Sequence, residues 1–373
     1  HKGEEKDPPG LDRFYGDYDT ANEIWLLEGI AEIFFEQPST DVRIKSAFGD
    51  GVNTVTVNMT GSIEDYSTRF QVLKDGVLET ISSAVSDDGI AIDLILTDAI
   101  DITVLYEVHD TEADETVSVI HLFPEDEFIY EGDDLGFNWS PEETVFKLWS
   151  PAASAANVLI YQTPTDQEEE PESYPMNRIE DGVLTCTVPG DLKNLYYMYE
   201  VTLTGVTREA QDPYSRGNST NSTRSLIFDP DDTDPPGWEE DESPLLEHPC
   251  DAVVYEVHIR DLTINETWNG DEDVRGKYLG MIESGTTYEG HPTGLDHLVD
   301  LGVNCVQILP MYDFGSVDET NPMSRNWGYD PMAYNCPEGS YSSDPSDITR
   351  IQEMKSMIKG LHDAGLKVIM DVV

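Results

Sequence analysis

Apolar and polar residues alternate in short runs along the first part of the chain. Within residues 41–123 these runs are NTVTVNMT, AIDLILT, DITVLYEV and TVSVIHLF, separated by Asp-Gly or Asp-rich turns. In DITVLYEV, Ile102, Val104, Tyr106 and Val108 occupy every second position, which predicts a strand with one buried face. No run of helical period interrupts the series, so a β-sandwich is expected. Two shorter runs upstream, EIWLLEG and AEIFFEQ, read as the last strands of an element begun earlier. An acidic connector at 124–137 leads to a second β series, TVFKLWSP, ANVLIYQ, GVLTCTVP and YYMYEVTL. The Pro-rich, acidic stretch at 229–244 is a boundary candidate.

Beyond that stretch the rhythm changes. AVVYEVHI (252–259) predicts a strand. TGLDHLVDLGV (293–303) predicts a helix with Leu295, Leu298 and Leu301 on one face, Thr293 and Asp296 as a capping pair and Gly302 as its stop. NCVQILP is an unbroken apolar strand of the kind buried on both faces. Ile348, Ile351, Met354, Ile358 and Leu361 then mark a second helix, capped by Ser346 or Asp347 and ended by Gly365. LKVIMDVV closes the series as a third buried strand. Strand, helix, strand, helix, strand is a parallel α/β pattern, open to a doubly wound sheet or a barrel. Neither a GxGxxG nor a GxxxxGK[ST] turn follows any strand, which argues against a nucleotide-binding sheet.

Charge narrows the partners. Seventy-five acidic residues face 21 basic ones, a net charge of −54. Such a surface repels nucleic acid and anionic membranes, and its self-repulsion is relieved by salt, which points to a salt-rich habitat or to an acidic secreted protein. No apolar run approaches the ~20 residues of a membrane span. The start of the chain carries neither a signal-peptide pattern nor Met, so His1 is read as an internal position. Cys186, Cys250, Cys305 and Cys336 lie far apart without a CxxC pair, so neither a disulfide framework nor a zinc site is expected. The eight histidines are scattered without HExxH spacing, and no metal site is expected.

One segment stands out chemically. SRNWGYDPMAYNCPEGSYSSDP (324–345) sets Trp327, Tyr329, Tyr334 and Tyr341 among turn-forming residues and shows neither period, so it is expected to be loop. It follows the second predicted parallel strand, and loops at the carboxyl ends of parallel strands build the active face. A ring beside a carboxylate, as in Tyr329–Asp330 with Trp327 nearby, suits a sugar: the CH-rich face packs on the ring while hydroxyls bond to polar groups. The competing reading is that Trp327 and Tyr329 only wedge the loop. His258 and Asp261 after the first strand are tempting as a catalytic pair, but capping and bracing the strand end is the better reading.

NWGYDPMAYNCPEGSYSSDP resembles the signature segment of type I pullulanases, the α-1,6-debranching members of the α-amylase superfamily. AVVYEVHIRDLT resembles their first barrel strand, GKYLGMIESGT the segment after it, and TGLDHLVDLGVNCVQILPMYDF their first helix and second strand. GLKVIMDVV is similar to their third strand, TVFKLWSPAAS with DPYSRGNSTNSTRSLIFD to the starch-binding-like sandwich before the barrel, and EIWLLEGIAEIFFE to the tail of a starch-binding module. The resemblance implies a multidomain fold: N-terminal all-β sandwich modules followed by the first part, about three βα units, of a TIM (β/α)8 barrel. The implied domains are 1–37, the tail of a starch-binding β module; 38–125, a β-sandwich accessory domain; 126–236, a starch-binding-like β-sandwich; and 237–373, the N-terminal part of the catalytic barrel.

By the same resemblance Tyr329 stacks on the sugar ring at the subsite on the non-reducing side of the cut, with Asp330 and Trp327 supporting that loop. Arg325 replaces an aromatic found in many relatives. Asp371 matches the aspartate that lies beneath the catalytic pocket. The nucleophilic Asp and acid/base Glu of a retaining glycosidase fall beyond Val373 in the family's order, so no catalytic residue is expected in this chain. The implied activity of the parent protein is hydrolysis of α-1,6 branch linkages in pullulan, starch and related α-glucans such as amylopectin. No cofactor is implied, although a structural calcium is compatible with the family. An extracellular, bacterial secreted protein is expected. The alternatives are a non-catalytic α-glucan-binding protein, or an isoamylase or branching enzyme, which PEGSYSSDP fits less well.

Overall fold

The computed structural model describes residues 25–26, 33–34, 42–121 and 128–372. The expected tail of an upstream module is therefore represented only by two short strands, Trp25–Leu26 and Ile33–Phe34, which pair antiparallel. The rest of 1–41, and 122–127 of the acidic connector, lie outside the described residues. The chain divides into two compact units, His1–Ile129 and Tyr130–Val373.

In the first unit eight strands form one hydrogen-bonded path. In spatial order they are Val77–Leu78, Phe70–Lys74, Tyr106–Asp110, Glu115–His121, Ile44–Gly49, Thr54–Met59, Ala91–Leu96 and Ile81–Val85. Glu115–His121 is shared between two layers. Its residues 115–118 pair antiparallel with Tyr106–Asp110, and its residues 119–121 pair parallel with Ile44–Gly49. Val55, Val57, Ile92 and Leu94 from one layer and Phe70, Val72, Tyr106 and Val108 from the other bury into one core. The DITVLYEV strand begins at Tyr106, later than expected. Asp101 Oδ1 accepts from both the amide and the hydroxyl of Thr103, so 101–104 closes into a turn that takes Ile102 and Val104 out of the ladder.

The second unit opens with two facing sheets. One contains Gly136–Trp139, Glu143–Trp149, Val183–Pro189 and Asn177–Arg178. The other contains Glu172–Pro175, Ala153–Tyr161, Tyr196–Leu203 and Val206–Ala210, with Ser225–Leu226 added to the third. Phe137, Phe146, Val158, Tyr197 and Leu226 fill the space between them.

Behind the sandwich, Val254–Val257, Cys305–Ile308 and Lys367–Met370 form a parallel three-stranded sheet in that order. The first strand is shorter than expected because His258 caps a helix, α1 (Ile259–Thr263), by accepting the Asp261 amide at 3.4 Å. Helix α2 (Gly294–Leu301) ends at left-handed Gly302, as expected, and buries Leu295 and Leu298. Leu301 is exposed. Two three-residue steps at ~100° per residue carry it ~120° round from Leu295, off the packed face. The expected capping pair is absent: Thr293 Oγ1 donates to Thr286 and Asp296 accepts from Gly285, so both side chains tie down the preceding loop. Helix α3 (Thr349–Asp363) follows an Asp347 side chain that accepts the Thr349 amide, and Gly365 lies just past its end. Its buried stripe holds Ile351, Met357 and Leu361 together with Arg350 and Glu353.

The 229–244 stretch is docked along α3. Lys355 Nζ donates to Thr233 Oγ1 at 2.6 Å, Gln352 to the Asp232 carbonyl at 2.7 Å, and His362 Nδ1 lies 2.7 Å from Asp241 Oδ2. Among the described residues no helix is long and apolar enough to cross a membrane. All four cysteines are free thiols, three buried and Cys250 exposed.

Candidate functional site

The carboxyl ends of the three parallel strands present the candidate residues. After the first strand comes His258; after the third comes Asp371, whose amide donates to the Ile308 carbonyl of the second strand at 3.0 Å. After the second strand the chain enters a hairpin, Tyr312–Phe314 with Pro331–Pro337. The expectation of loop throughout 324–345 is thus corrected for 331–337. The pairing shifts register twice within three partners, so no clean alternation survives in the sequence to announce the strand. The turn of this hairpin carries Arg325 through Asp330.

Backbone constraint shapes that turn. Gly328 has φ +94°, and a Cβ there would lie 2.2 Å from the Pro310 carbonyl oxygen, so only glycine fits. Asn326 organises the rest: its Oδ1 accepts the Gly328 amide at 3.0 Å and its Nδ2 donates to Asp330 Oδ1 at 2.6 Å. His258 holds the turn from below. With Nδ1 accepting from Asp261, the proton resides on Nε2, which donates to the Asn326 carbonyl at 2.8 Å and lies 3.1 Å from the Tyr341 hydroxyl. Burial pushes the His258 pKa below its ordinary value, favouring the neutral ring this geometry needs. The bracing role expected for His258 therefore matches its contacts.

Trp327 and Tyr329 project outward, 57% and 48% exposed. The Arg325 guanidinium lies 5.3 Å from the Trp327 ring centroid and is held by both oxygens of Asp261. Tyr329 donates its hydroxyl hydrogen to Asp371 Oδ2 at 2.7 Å, and that bond to a carboxylate raises the phenol's pKa. The structure thus brings Tyr329 and Asp371 together. Asp330 faces Asn326, and Trp327 stands on Arg325. Tyr334, also exposed, tilts against Tyr312 with centroids 6.1 Å apart. Tyr341 behaves differently: it is buried edge-on against Tyr278, His258 and Phe314 and is a packing residue. The arrangement offers flat apolar faces beside fixed acceptors, which can hold a sugar ring and orient its hydroxyls.

A second cluster escaped the sequence reading. Arg350 is fully buried, with Nη1 2.8 Å from Asp313 Oδ2 and Nη2 3.1 Å from Glu319 Oε2. Asn218 and Ser222 of the sandwich both donate to the same Asp313 oxygen. Glu338, also buried, accepts from the amides of Ser340 and Phe314, and burial pushes its pKa up to about 8. Asp313, Glu319 and Glu338 place oxygens within 4.8 Å of one another. Arg350 pairs with Asp313 and Glu319, which makes the cluster an ion-pair lock. A signal was available: Arg350, Glu353, Met357 and Leu361 fall three or four apart, putting two charges in phase with the buried stripe of α3.

Comparison with known proteins agrees with this geometry. Residues 134–215 match Carbohydrate-binding module 48 (Isoamylase N-terminal domain). Pullulanase of Bacillus subtilis (strain 168) is 39% identical over 252 residues, covering 67% of this chain and 34% of the relative. Pullulanase 1, chloroplastic, of Arabidopsis thaliana is 32% identical over 286 residues, covering 66% and 29%. Among solved structures, pullulanase from Bacillus acidopullulyticus superposes with TM-score 0.81 at 27% identity, covering 88% of this chain and 54% of that one. Pullulanase from Paenibacillus barengoltzii, solved with maltotriose, gives TM-score 0.64 at 47% identity, covering 66% and 39%. The chain spans about a third of the length of the curated relatives it matches. In sequence and in fold, the chain belongs to the pullulanase family.

Proposed function

We propose that this chain is the part of a debranching glycoside hydrolase that carries its carbohydrate-binding sandwich and one wall of its substrate cleft. The reaction is retaining hydrolysis of α-1,6-glucosidic linkages in pullulan, amylopectin and related α-glucans, by a protein acting outside the cell. In this reading the three parallel strands and their crossovers are the first βα units of a (β/α)8 barrel, and the catalytic domain begins near residue 237 after a starch-binding-like sandwich at 126–236. Residues 38–125 are an accessory sandwich and 1–37 the end of a further starch-binding module.

The observation that carries the reading is the exposed Tyr329 ring, fixed at its hydroxyl by Asp371 at the end of the third parallel strand. The ring provides a stacking plane at the face where such folds bind substrate, and Trp327 extends it. A relative 47% identical over its matched part has been solved with maltotriose bound, which supports an α-glucan ligand. Asp371, beneath the pocket, then positions Tyr329 through its hydroxyl, while Asp330 and Asn326 keep the turn in shape.

The test has two measurements. Titration of this chain with maltotriose should quench tryptophan fluorescence saturably, and cellotriose should not. The full-length protein should release reducing ends from pullulan. Saturable binding without hydrolysis would identify a non-catalytic α-glucan-binding protein, and absence of both would overturn the proposal.

A further inference from the structure

A small polar cavity of about 210 Å³ lies beside the aromatic turn, away from its exposed rings. Arg260, Arg275 and Lys277 line it, along with Ser324 and Ser340. In a chain with 21 basic and 75 acidic residues, three cations around one cavity is a marked departure from the rest of the surface. Local backbone explains how two of them meet there. Lys277 N donates to the Val274 carbonyl at 3.1 Å, Arg275 has φ −61° and ψ 123°, and Gly276 has φ +75°. This is a type II turn, with glycine at the position that demands it.

None of the three cations has a close carboxylate. Arg260 Nη1 lies 3.9 Å from Asp261 Oδ1, an oxygen already bonded by Arg325, and Arg275 Nη2 lies 3.7 Å from a well-exposed Glu272. Lys277 Nζ donates to the Ser342 carbonyl at 3.1 Å. Arg275 Nε is a buried donor without a partner. The one carboxylate lining the cavity, Glu319, is committed elsewhere: its oxygens take Arg350 at 3.1 Å, the Gly339 amide at 3.0 Å and the Asn221 amide at 2.5 Å. Ser324 Oγ accepts the Asp318 amide at 3.1 Å, which leaves its own hydrogen to donate.

We infer that this cavity binds a phosphoryl-type oxyanion. Its volume falls below the ~300–1,000 Å³ of sites for larger organic ligands. Two guanidinium groups, an ammonium and a hydroxyl suit a ligand with several acceptor oxygens, since charge-assisted bonds from a planar fork match phosphate geometry. The oxyanion is either free inorganic phosphate or a phosphate monoester borne on an α-glucan; the second source rests on the proposed function, the first does not.

Calorimetric titration of the chain with inorganic phosphate, and separately with glucose 6-phosphate, in 0.15 M NaCl tests the site. Saturable binding is expected, weakened about tenfold or more in Arg275→Gln and in Lys277→Gln. Lys277→Arg should retain it, as should Arg208→Gln on the exposed strand Val206–Ala210, which does not line the cavity. Equal affinity for both probes assigns the site to free phosphate, and at least tenfold tighter glucose 6-phosphate assigns it to the glucan. No saturable binding of either probe overturns the inference. So does binding that is unchanged in both charge-removing variants, with their thermal unfolding confirming a native fold.

Discussion

The Tyr329 hydroxyl donates to Asp371 Oδ2 at 2.7 Å, bridging the hairpin after the second parallel strand to the end of the third. The bond holds a ring that is half in solvent and makes its exposed face a fixed surface. Tyr329→Ala in the full-length protein removes that face, and kcat/KM on pullulan should fall ~5–150-fold, the equivalent of roughly 1–3 kcal/mol of stacking. Tyr329→Phe keeps the face and should cost much less. If Tyr329→Ala instead lowers the melting temperature and leaves kcat/KM per folded molecule unchanged, the ring serves packing alone.

Arg350 should be among the least replaceable residues of the second unit. Arg350→Met leaves Asp313 and Glu319 buried without their cation, and removing one partner of such a pair costs about 3–5 kcal/mol. Urea unfolding monitored by circular dichroism measures it. A loss under about 1 kcal/mol would mean that water enters and solvates the carboxylates.

Glu338 makes stability depend on pH in an unusual direction. Its folded pKa of about 8 lies above the ordinary 4.5, so between those values the native state holds a proton that the unfolded chain has released. The stabilisation is complete below pH ~4.5 and disappears as pH rises through 8. His258, whose pKa is lowered, acts oppositely only below its ordinary 6.5. The urea midpoint should therefore decline from pH 6.5 to 8.5, and Glu338→Gln should flatten that decline. An unchanged slope in the variant would exclude Glu338 as its source.

Salt should stabilise the protein. At a net charge of −54 the folded state is self-repelling, and raising ionic strength from 0.1 to 1 M shortens the range of that repulsion from ~10 to ~3 Å. Thermal melts between 0.1 and 2 M NaCl should show a rising midpoint. A flat or falling one would place this surface among ordinary acidic ones.

Regular elements were legible wherever burial followed a simple period. The strand around Cys305, the α2 stop at Gly302 and the paired runs of the sandwich all read directly from spacing. The turn bearing Tyr329 and Asp330 was legible as chemistry, through ring beside carboxylate. Other features were hidden for physical reasons. The 331–337 strand was masked by its bulged pairing. The burial of Tyr341 depends on Tyr278 and His258, both more than sixty positions away. The Arg350 lock joins residues 31 to 131 positions apart, and no local pattern encodes such distances. The Tyr329–Asp371 bond, 42 positions long, belongs to the same class.

Helix α3 has a foot in two cores. Ile351 belongs to the same core as Phe137, Phe146 and Tyr197 of the sandwich, while Met357 and Leu361 belong to the core of the parallel sheet. Between them Arg350 grips Asp313, which the sandwich's Asn218 and Ser222 also hold. The sandwich is consequently not a detachable cassette. A lineage that swapped it for a foreign carbohydrate-binding module would have to rewrite one face of α3 in the same step, so the two are expected to be inherited as a pair and to diverge in concert.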